Sequence, residues 1–451
     1  MTTAKAAPRV EPSDNPFLQG NFAPVPEEST LEHLPVEGTL PKALRGQLLR
    51  NGPNPTKLDD PDYHWFTGDA MLHAVAIEDG RATHYRNRWI RTPQFQEATG
   101  RAAANSGVQP LPLQGNGNVN VIGHAGRILA LPEVGLPFEM TADLETVGLF
   151  DFGGRLASNM TAHPKIDGQT GELIFFGYDV GDVHLRYHVA DRSGAIIHSE
   201  CIDTPQPTMM HDFGVTATRV IFMDFPVVFD LDMVALGRRI PFRWRDDTGA
   251  RLGVMPRRGT SAEVIWIDIP PCYVYHPMNA YDDGENIVFD VVKHEKTFVD
   301  GRIELDLAPP ALERWTIDPG ARRVTMEAID PLGQEFPRVN PRFECHPHRY
   351  GYGVRTDGQQ SDMVFGDLLK YDMRSGTTTT HDVGSGCAAG EGVFVPVGDG
   401  EDEGYVLAPV YDRQTGTSHI RVIDATDFAA EPIAKIMLPV RIPYGFHGNF
   451  V

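Results

Sequence analysis

The chain lacks any apolar run of the roughly 18–20 residues that a membrane-spanning helix requires. Its opening segment, residues 1–15, is polar and rich in proline and alanine, without the apolar core of a secretory signal. Cysteine is also scarce and forms no C-x-x-C pair, which argues against a disulfide framework; the four are Cys201, Cys272, Cys345 and Cys387. We therefore expect a cytoplasmic protein.

Basic residues are few relative to acidic ones. Lys and Arg number 40 against 61 Asp and Glu, so the formal net charge is −21. Because phosphate backbones are bound by basic faces, this balance argues against a nucleic acid partner. It also disfavours a purely electrostatic attachment to anionic membranes.

Helical periodicity is rare, and 45 Gly and 36 Pro punctuate the chain. Only residues 92–105 and, more weakly, 230–239 show a helical pattern. Short β-rich runs closed by turn residues recur instead, for example at 74–77, 127–131, 173–178, 220–223, 286–292 and 404–408. No linker divides them, so we expect a flexible tail over residues 1–15 and a single all-β domain over 16–451. Regular short strands over such a length favour a β-propeller.

Four histidines lie in short segments of similar character, although they are far apart in the chain: His163, His211, His276 and His447. No local zinc-finger loop has such spacings, but a propeller axis would bring distant strands together. Imidazole suits iron, copper, zinc and nickel, so the residues alone leave the metal open. The remaining histidines, His294 among them, are expected to be ordinary surface or hydrogen-bonded core residues.

Three carboxylates stand in otherwise apolar surroundings: Glu133, Glu335 and Glu391. A buried carboxylate is costly unless it is paired, and a histidine that binds a metal usually donates its other N–H to an acceptor. These glutamates are therefore candidate partners of the histidines.

Several segments resemble the carotenoid cleavage oxygenase family, which includes carotenoid dioxygenases, lignostilbene dioxygenases and the retinoid isomerase of the eye. They are LLRNGPNP at 48–55, HWFTGDAM at 64–71, YRNRWIRT at 85–92, MTAHP at 160–164, residues 222–229 and IPYGFHGN at 442–449. All four histidines fall in the ligand segments of that family.

The resemblance implies a seven-bladed β-propeller with Fe(II) on its axis, under a cap of loops and short helices that forms an apolar tunnel. It implies His163, His211, His276 and His447 as the metal ligands. It implies Glu133, Glu335 and Glu391 as acceptors for their N–H groups. The implied reaction is cleavage of a C=C bond of a carotenoid or apocarotenoid by O2 into two carbonyl products, with no catalytic side chain beyond the metal centre.

Two departures from the family pattern concern the substrate and the backbone. The lignostilbene branch carries a lysine immediately before the first acceptor glutamate, and this chain has Pro132 there, which favours an apolar polyene over a phenolic stilbene. The Gly-Asp-Gly-Met common in the family reads Gly68-Asp69-Ala70-Met71. A stilbene- or phenylpropanoid-cleaving dioxygenase with the same iron site remains the alternative.

Three further alternatives predict different chemistry. An isomerase would incorporate no oxygen, and a carotenoid-binding module would have no need of four matched imidazoles. The third is a propeller hydrolase or lactonase using Ca2+ or Zn2+, for which calcium would need carboxylate and carbonyl ligands, where this chain offers histidines. The apolar segments 225–244 and 108–113 either contact a membrane peripherally or line the tunnel and pack the cap.

Overall fold

The computed structural model describes residues 15–60, 63–299, 309–356 and 364–451. The tail predicted over residues 1–15 lies outside them except for Asn15. Within these ranges the first eleven strands are β1 (Thr30–Glu32), β2 (Val36–Gly38), β3 (Gly46–Pro53), β4 (Ala70–Glu78), β5 (Arg81–Trp89), β6 (Asn120–His124), β7 (Arg127–Leu131), β8 (Phe138–Met140), β9 (Thr146–Leu149), β10 (Lys165–Ile166) and β11 (Leu173–Tyr178).

The middle strands are β12 (His184–Ala190), β13 (Ile196–Asp203), β14 (Gly214–Val215), β15 (Arg219–Asp224), β16 (Val227–Phe229), β17 (Phe242–Trp244), β18 (Ala250–Pro256), β19 (Ile265–Ile269), β20 (Tyr273–Asp283), β21 (Asn286–His294) and β22 (Ala311–Asp318). The last are β23 (Arg323–Asp330), β24 (Gln334–Val339), β25 (Tyr350–Arg355), β26 (Leu368–Asp372), β27 (Thr377–His381), β28 (Cys387–Ala389), β29 (Val393–Pro396), β30 (Gly404–Asp412), β31 (Thr417–Asp424), β32 (Ala434–Met437) and β33 (Gly448–Phe450).

Helices are short and few in the described residues. They are α1 (Pro93–Thr99), α2 (Leu231–Ala235) and six 3-10 turns at Pro16–Leu18, Gly20–Phe22, Trp65–Thr67, Ser261–Glu263, Pro341–Phe343 and Ala425–Asp427. The two predicted helices are confirmed but shorter than expected. The Thr92 hydroxyl caps α1 and left-handed Gly100 ends it, whereas Asp230 caps α2. None of the helices in these ranges has the length and apolar character needed to traverse a bilayer.

The strands form seven antiparallel sheets, which confirms the seven-bladed propeller. In order of hydrogen bonding they are β1-β5-β4-β3-β33, β6-β7-β8-β9, β10-β11-β12-β13, β14-β15-β18-β19, β20-β21-β22-β23, β24-β25-β26-β27 and β2-β32-β31-β30-β28, with β29 also paired to β30. We number these sheets as blades 1 to 7 in that order. Strands β16 and β17 form a separate hairpin.

A ring of end strands surrounds the axis. The first strands of neighbouring blades contact one another from β14 through β20, β24 and β29 to β33 and β6. Strands β4 and β11 are buried almost throughout, because each blade packs on both faces. Strands buried on both faces read as continuous apolar runs, and all six strand segments predicted from such runs lie within strands.

The first blade combines both ends of the chain. Strand β33 pairs with β3 in the register Leu48↔Phe450. The close approach needs a glycine, because a Cβ on Gly448 would lie 2.2 Å from the Leu49 carbonyl oxygen. Ring closure therefore holds the segment of His447 in the interior.

Candidate metal centre

All four predicted histidines converge on the axis, each on or beside the first strand of a blade. His163 precedes β10, His211 precedes β14, His276 lies within β20 and His447 precedes β33. The ring centroid of His163 lies 4.3 Å from that of His211, 5.0 Å from that of His276 and 4.7 Å from that of His447. The propeller thus solves the spacing problem that the sequence poses.

The nitrogen atoms of the cluster face a shared space. Ligand atoms of His163, His211 and His276 all lie within 4.8 Å of one another. The ring of His447 completes the set, 4.8 Å from the ring of His276. The Nε2 atoms of His163 and His276 are buried without a hydrogen-bond partner. Because orphaned buried nitrogens are costly, these residues fit a metal ion bound between them.

Irregular pairing places two of the site residues. His276 lies where the β20–β21 register shifts between Val274 and Pro277. Glu335 lies where the β24–β25 register shifts before Arg338. Bulges of this kind re-aim side chains beside functional sites. They turn His276 and Glu335 towards each other at the axis.

Glu335 serves two imidazoles at once. Its Oε2 lies 2.6 Å from Nδ1 of His276, and its Oε1 lies 2.6 Å from Nε2 of His294. The backbone N–H of Phe336 also donates to Oε2. Burial would raise the pKa of Glu335, but the two histidines outweigh it and hold that pKa well below its ordinary value.

Glu391 and Glu133 each hold one histidine of the cluster. Glu391 Oε1 lies 2.9 Å from Nδ1 of His447, and its Oε2 accepts from the Gly448 N–H at 2.8 Å. Although Glu391 is buried, nearby cationic groups lower its pKa to about 2. Glu133 lies 2.9 Å from Nδ1 of His211 and accepts the Tyr178 hydroxyl. All three predicted glutamates therefore lie against histidines of the cluster.

His163 is the exception among the four. Its nearest carboxylate is Asp212, at 3.8 Å from Nδ1, and Asp212 is already paired with Lys165 at 2.8 Å. Burial and the neighbouring histidines lower the pKa of His163 well below its ordinary value. For His211, burial acts in the same direction, but the Glu133 carboxylate outweighs it and raises the pKa.

Two cavities meet at this cluster. One, of about 450 Å³, is a tunnel with largely apolar walls that reaches His211, His276 and His447; its lining includes Phe17, Trp65, Phe66, Val134, Met209, Ile240, Phe242, Tyr275, Phe336, Val364, Phe365 and Phe446. The other, of about 370 Å³, reaches His163, His276 and His447 and contains most of the charge; its lining includes Lys165, Asp212, Arg338, Glu344 and Glu391. We call them the tunnel and the axial cavity.

The expected cap lies over the tunnel. Helix α1 contributes Gln94, and the segment between α2 and β17 contributes Arg239 and Ile240. Segment 225–244 lines the tunnel in part, through Ile240 and Phe242. Its strands are buried, whereas Leu231 and Leu236 of the α2 region are 72% and 70% exposed.

Three contributors to the site were not predicted. They are His294, which shares Glu335, Tyr178, which donates to Glu133, and the pair of Lys165 with Asp212. Asp212 directly follows His211 in the sequence, so an acidic neighbour of a predicted ligand could have signalled it. His294 ends an apolar strand run, and nothing local distinguishes it from an ordinary core histidine.

The fold and the site together define a class of protein: seven-bladed propellers with four imidazoles and three carboxylates at the axis. Residues 22–451 match the family described as "Retinal pigment epithelial membrane protein". The chain is 39% identical to a carotenoid cleavage oxygenase of Mycobacterium tuberculosis, over 100% of this chain and 99% of that protein. It is 30% identical to an isoeugenol monooxygenase of Pseudomonas putida, over 96% of this chain and 98% of that protein.

Solved structures show the same fold. The lignostilbene dioxygenase of Pseudomonas brassicacearum superposes with a TM-score of 0.89 at 26% identity, over 98% of this chain and all of that one. A cobalt-substituted apocarotenoid oxygenase of Synechocystis superposes with a TM-score of 0.86 at 29% identity, over 95% and 97%. The chain belongs to the carotenoid cleavage oxygenase family, and it is an oxygenase by class, as the sequence predicts.

Proposed function

We propose that this oxygenase binds Fe(II) through His163, His211, His276 and His447 and cleaves a C=C bond of a carotenoid or apocarotenoid with O2. The observation that carries the proposal is the convergence of the His163, His211 and His276 ligand atoms, with the His447 ring beside them, where an apolar tunnel ends. When bound, Fe(II) supplies the redox chemistry that inserts oxygen into an alkene. Four neutral imidazoles suit iron and leave coordination positions open.

The glutamates position the ligands. Glu335 and Glu391 form hydrogen bonds with Nδ1 of His276 and His447, so each fixes the tautomer that turns Nε2 inwards. Glu133 lies 2.9 Å from Nδ1 of His211 but outside hydrogen-bond geometry, so it acts on that imidazole through its charge. Their negative charge also makes the imidazoles better donors. No side chain has to act as a nucleophile or a general base in this scheme.

The tunnel walls hold the substrate and exclude water. Aromatic side chains approach the cluster closely, with the ring of Phe336 5.2 Å from that of His447 and 5.6 Å from that of His276. An elongated apolar polyene fits such a wall, because it has little to hydrogen-bond. The position of the bond that is cut is then set by how deeply the substrate enters the tunnel.

A phenylpropanoid substrate is the second candidate. The wall also carries amides at Gln94, Gln114, Asn116 and Asn118, which could meet an oxygen function. Similarity to the isoeugenol monooxygenase supports the same reading. Pro132 argues against it, since this chain has no lysine where the lignostilbene branch has one.

We also propose that residues 16–451 act as one domain and that the tunnel side of the protein contacts membranes peripherally. Polyenes dissolve in lipid, and the cap exposes Leu113, Leu231, Val234 and Leu236. These side chains could bury apolar area in a bilayer surface.

The experiment is anaerobic reconstitution with Fe(II), followed by O2 and a panel of carotenoids, apocarotenals and phenolic stilbenes. Products are read by mass spectrometry with 18O-labelled O2. Shortened aldehydes or ketones that carry the label, absent in His211→Ala, support cleavage. Unlabelled products indicate isomerisation or hydrolysis, and failure to bind iron overturns the proposal.

A further inference from the structure

One nitrogen in the tunnel wall has no assigned task. His294 is a tunnel-lining residue, and its side chain is 18% exposed. Its Nε2 lies 2.6 Å from Glu335 Oε1. Among the described residues its Nδ1 has no hydrogen-bond partner, and it is not among the polar atoms sealed from solvent. This nitrogen is therefore open to the tunnel.

The contact with Glu335 determines what Nδ1 can do. A carboxylate only accepts hydrogen bonds, so Nε2 of His294 must carry the proton. In the neutral imidazole the other nitrogen then bears a lone pair and accepts. Nδ1 of His294 is an acceptor that faces a substrate site and lacks a donor.

The neighbouring polar groups do not supply that donor. The Tyr275 ring packs edge-on against His294 at 5.1 Å and its hydroxyl lies 2.7 Å from the Thr297 hydroxyl, but neither hydroxyl forms a hydrogen bond with His294. The adjacent aromatic side chains carry no donor either, since Phe298 packs beside Tyr275 and Phe242 packs beside Phe298. A donor for Nδ1 would have to come from the tunnel contents.

We propose that Nδ1 of His294 accepts a hydrogen bond from a hydroxyl group of the substrate, so that the preferred substrates are hydroxylated alkenes. This inference deepens the proposed function and rests on it for the reaction. The two oxygens of Glu335 hold His294 and His276. The hydroxyl site is thus tied to the histidine cluster through one carboxylate, which fixes its distance from the bond that is cut.

The test measures ligand binding to metal-free protein, so it does not depend on turnover. The probes are matched pairs that differ only in the hydroxyl group: 4-hydroxystilbene with 4-methoxystilbene, and a 3-hydroxy-apocarotenal with its deoxy form. Quenching of tryptophan fluorescence reports binding because Trp65 lines the tunnel. A Trp65→Phe variant identifies the part of the signal that arises there.

We expect the wild type to bind the hydroxylated member of a pair about five- to tenfold more tightly, as one hydrogen bond predicts. His294→Phe should abolish this ratio. His294→Gln keeps an N–H for Glu335 and a carbonyl acceptor, so it should restore part of the ratio. Circular dichroism confirms that both variants are folded.

Two results would overturn the inference. One is an unchanged ratio in folded His294→Phe, even if that variant loses metal, because His294 would then only position Glu335. The other is tighter binding of the methoxy or deoxy member by the wild type. If the ratio behaves as expected but no substrate is cleaved, the binding role stands and the proposed function fails.

Discussion

The two cavities that meet at the histidine cluster differ sharply in chemistry. The tunnel is walled mainly by aromatic and aliphatic side chains, and His211 faces it without facing the axial cavity. The axial cavity contains Lys165 and Arg338 with several carboxylates, and His163 faces it without facing the tunnel. His276, Phe336 and His447 line both. The histidine cluster separates the apolar tunnel from the charged axial cavity.

This difference separates two demands on one site. An apolar ligand needs a surface with few unpaired polar groups, whereas buried charges need partners. Because the ion pairs line the axial cavity, the tunnel side of the histidines is free for the substrate.

The largest effect should come from removing one histidine on each side. We expect His211→Ala and His163→Ala both to lose bound metal and turnover to background, because each removes a ligand. Only His211→Ala should alter polyene binding by metal-free protein, since only His211 faces the tunnel. Metal analysis and fluorescence titration check this. Equal effects of the two substitutions on polyene binding would contradict the separation of the tunnel from the axial cavity.

The glutamates offer a finer test. Glu335→Gln and Glu391→Gln should each weaken metal affinity by about 10- to 100-fold, as loss of a partner to a ligand histidine does. Glu335 faces the tunnel and Glu391 the axial cavity. Binding of the hydroxylated stilbene should therefore weaken only in Glu335→Gln. Competition with a metal chelator gives the affinities, and identical ligand binding in both variants would refute the assignment.

Lys165→Met tests whether the axial charges support the fold. It leaves Asp212 buried without its cation, and burial already raises the pKa of that carboxyl. We expect a loss of about 3 kcal/mol in the free energy of unfolding with unchanged tunnel binding. The control is Lys296→Met, which breaks the exposed pair with Asp246 and should cost far less, because solvent screens that pair. Urea denaturation distinguishes them, and equal losses would contradict the prediction.

Acid should destabilise the metal-free protein through His447, which lines both cavities. Burial lowers the pKa of His447 from 6.5 to about 3. Between these values the unfolded chain binds a proton that the folded one does not, so stability falls as the pH drops. His447→Gln should flatten the dependence of the unfolding free energy on pH in this window. An unchanged slope would show that other groups dominate it.

The smallest effect concerns the outside of the tunnel. Leu231→Ser combined with Leu236→Ser should weaken binding to neutral liposomes by roughly tenfold, because each exposed leucine can bury apolar area in lipid. Ile197→Ser, on β13 outside the tunnel lining, is the control. Flotation with liposomes measures the difference. Equal binding by all three proteins would rule out docking through α2.

Much of the fold and the members of the histidine cluster could be predicted because each leaves a local mark. Blades buried on both faces read as apolar runs closed by turns, and a carboxylate such as Glu391 stands out in an apolar segment. The partner of His276 was also predictable in kind, since a metal-binding histidine needs an acceptor. These features depend on neighbours along the chain.

His294 shows why the rest could not be predicted. The β20–β21 turn at Gly284 pairs Asp283 with Asn286, and a regular hairpin from there would place Tyr275 opposite His294. Two register shifts intervene, and Tyr273 pairs with His294 instead. The two one-residue shifts add up to two residues, so they move the position of His294 along β20 without sending it to the other face of the sheet. Whether His294 reaches Glu335 therefore depends on bulges that the residue pattern does not announce.

The pairing of β3 with β33 has a kinetic consequence. Closing a ring through strands from opposite ends of the chain carries a large loop entropy and belongs among slow steps of folding. His447 directly precedes β33, so its imidazole joins the other three only when β33 pairs with β3. A metal ion bound to all four histidines would then hold the ring of blades closed, because a ligand that binds only the closed ring stabilises it and slows its opening.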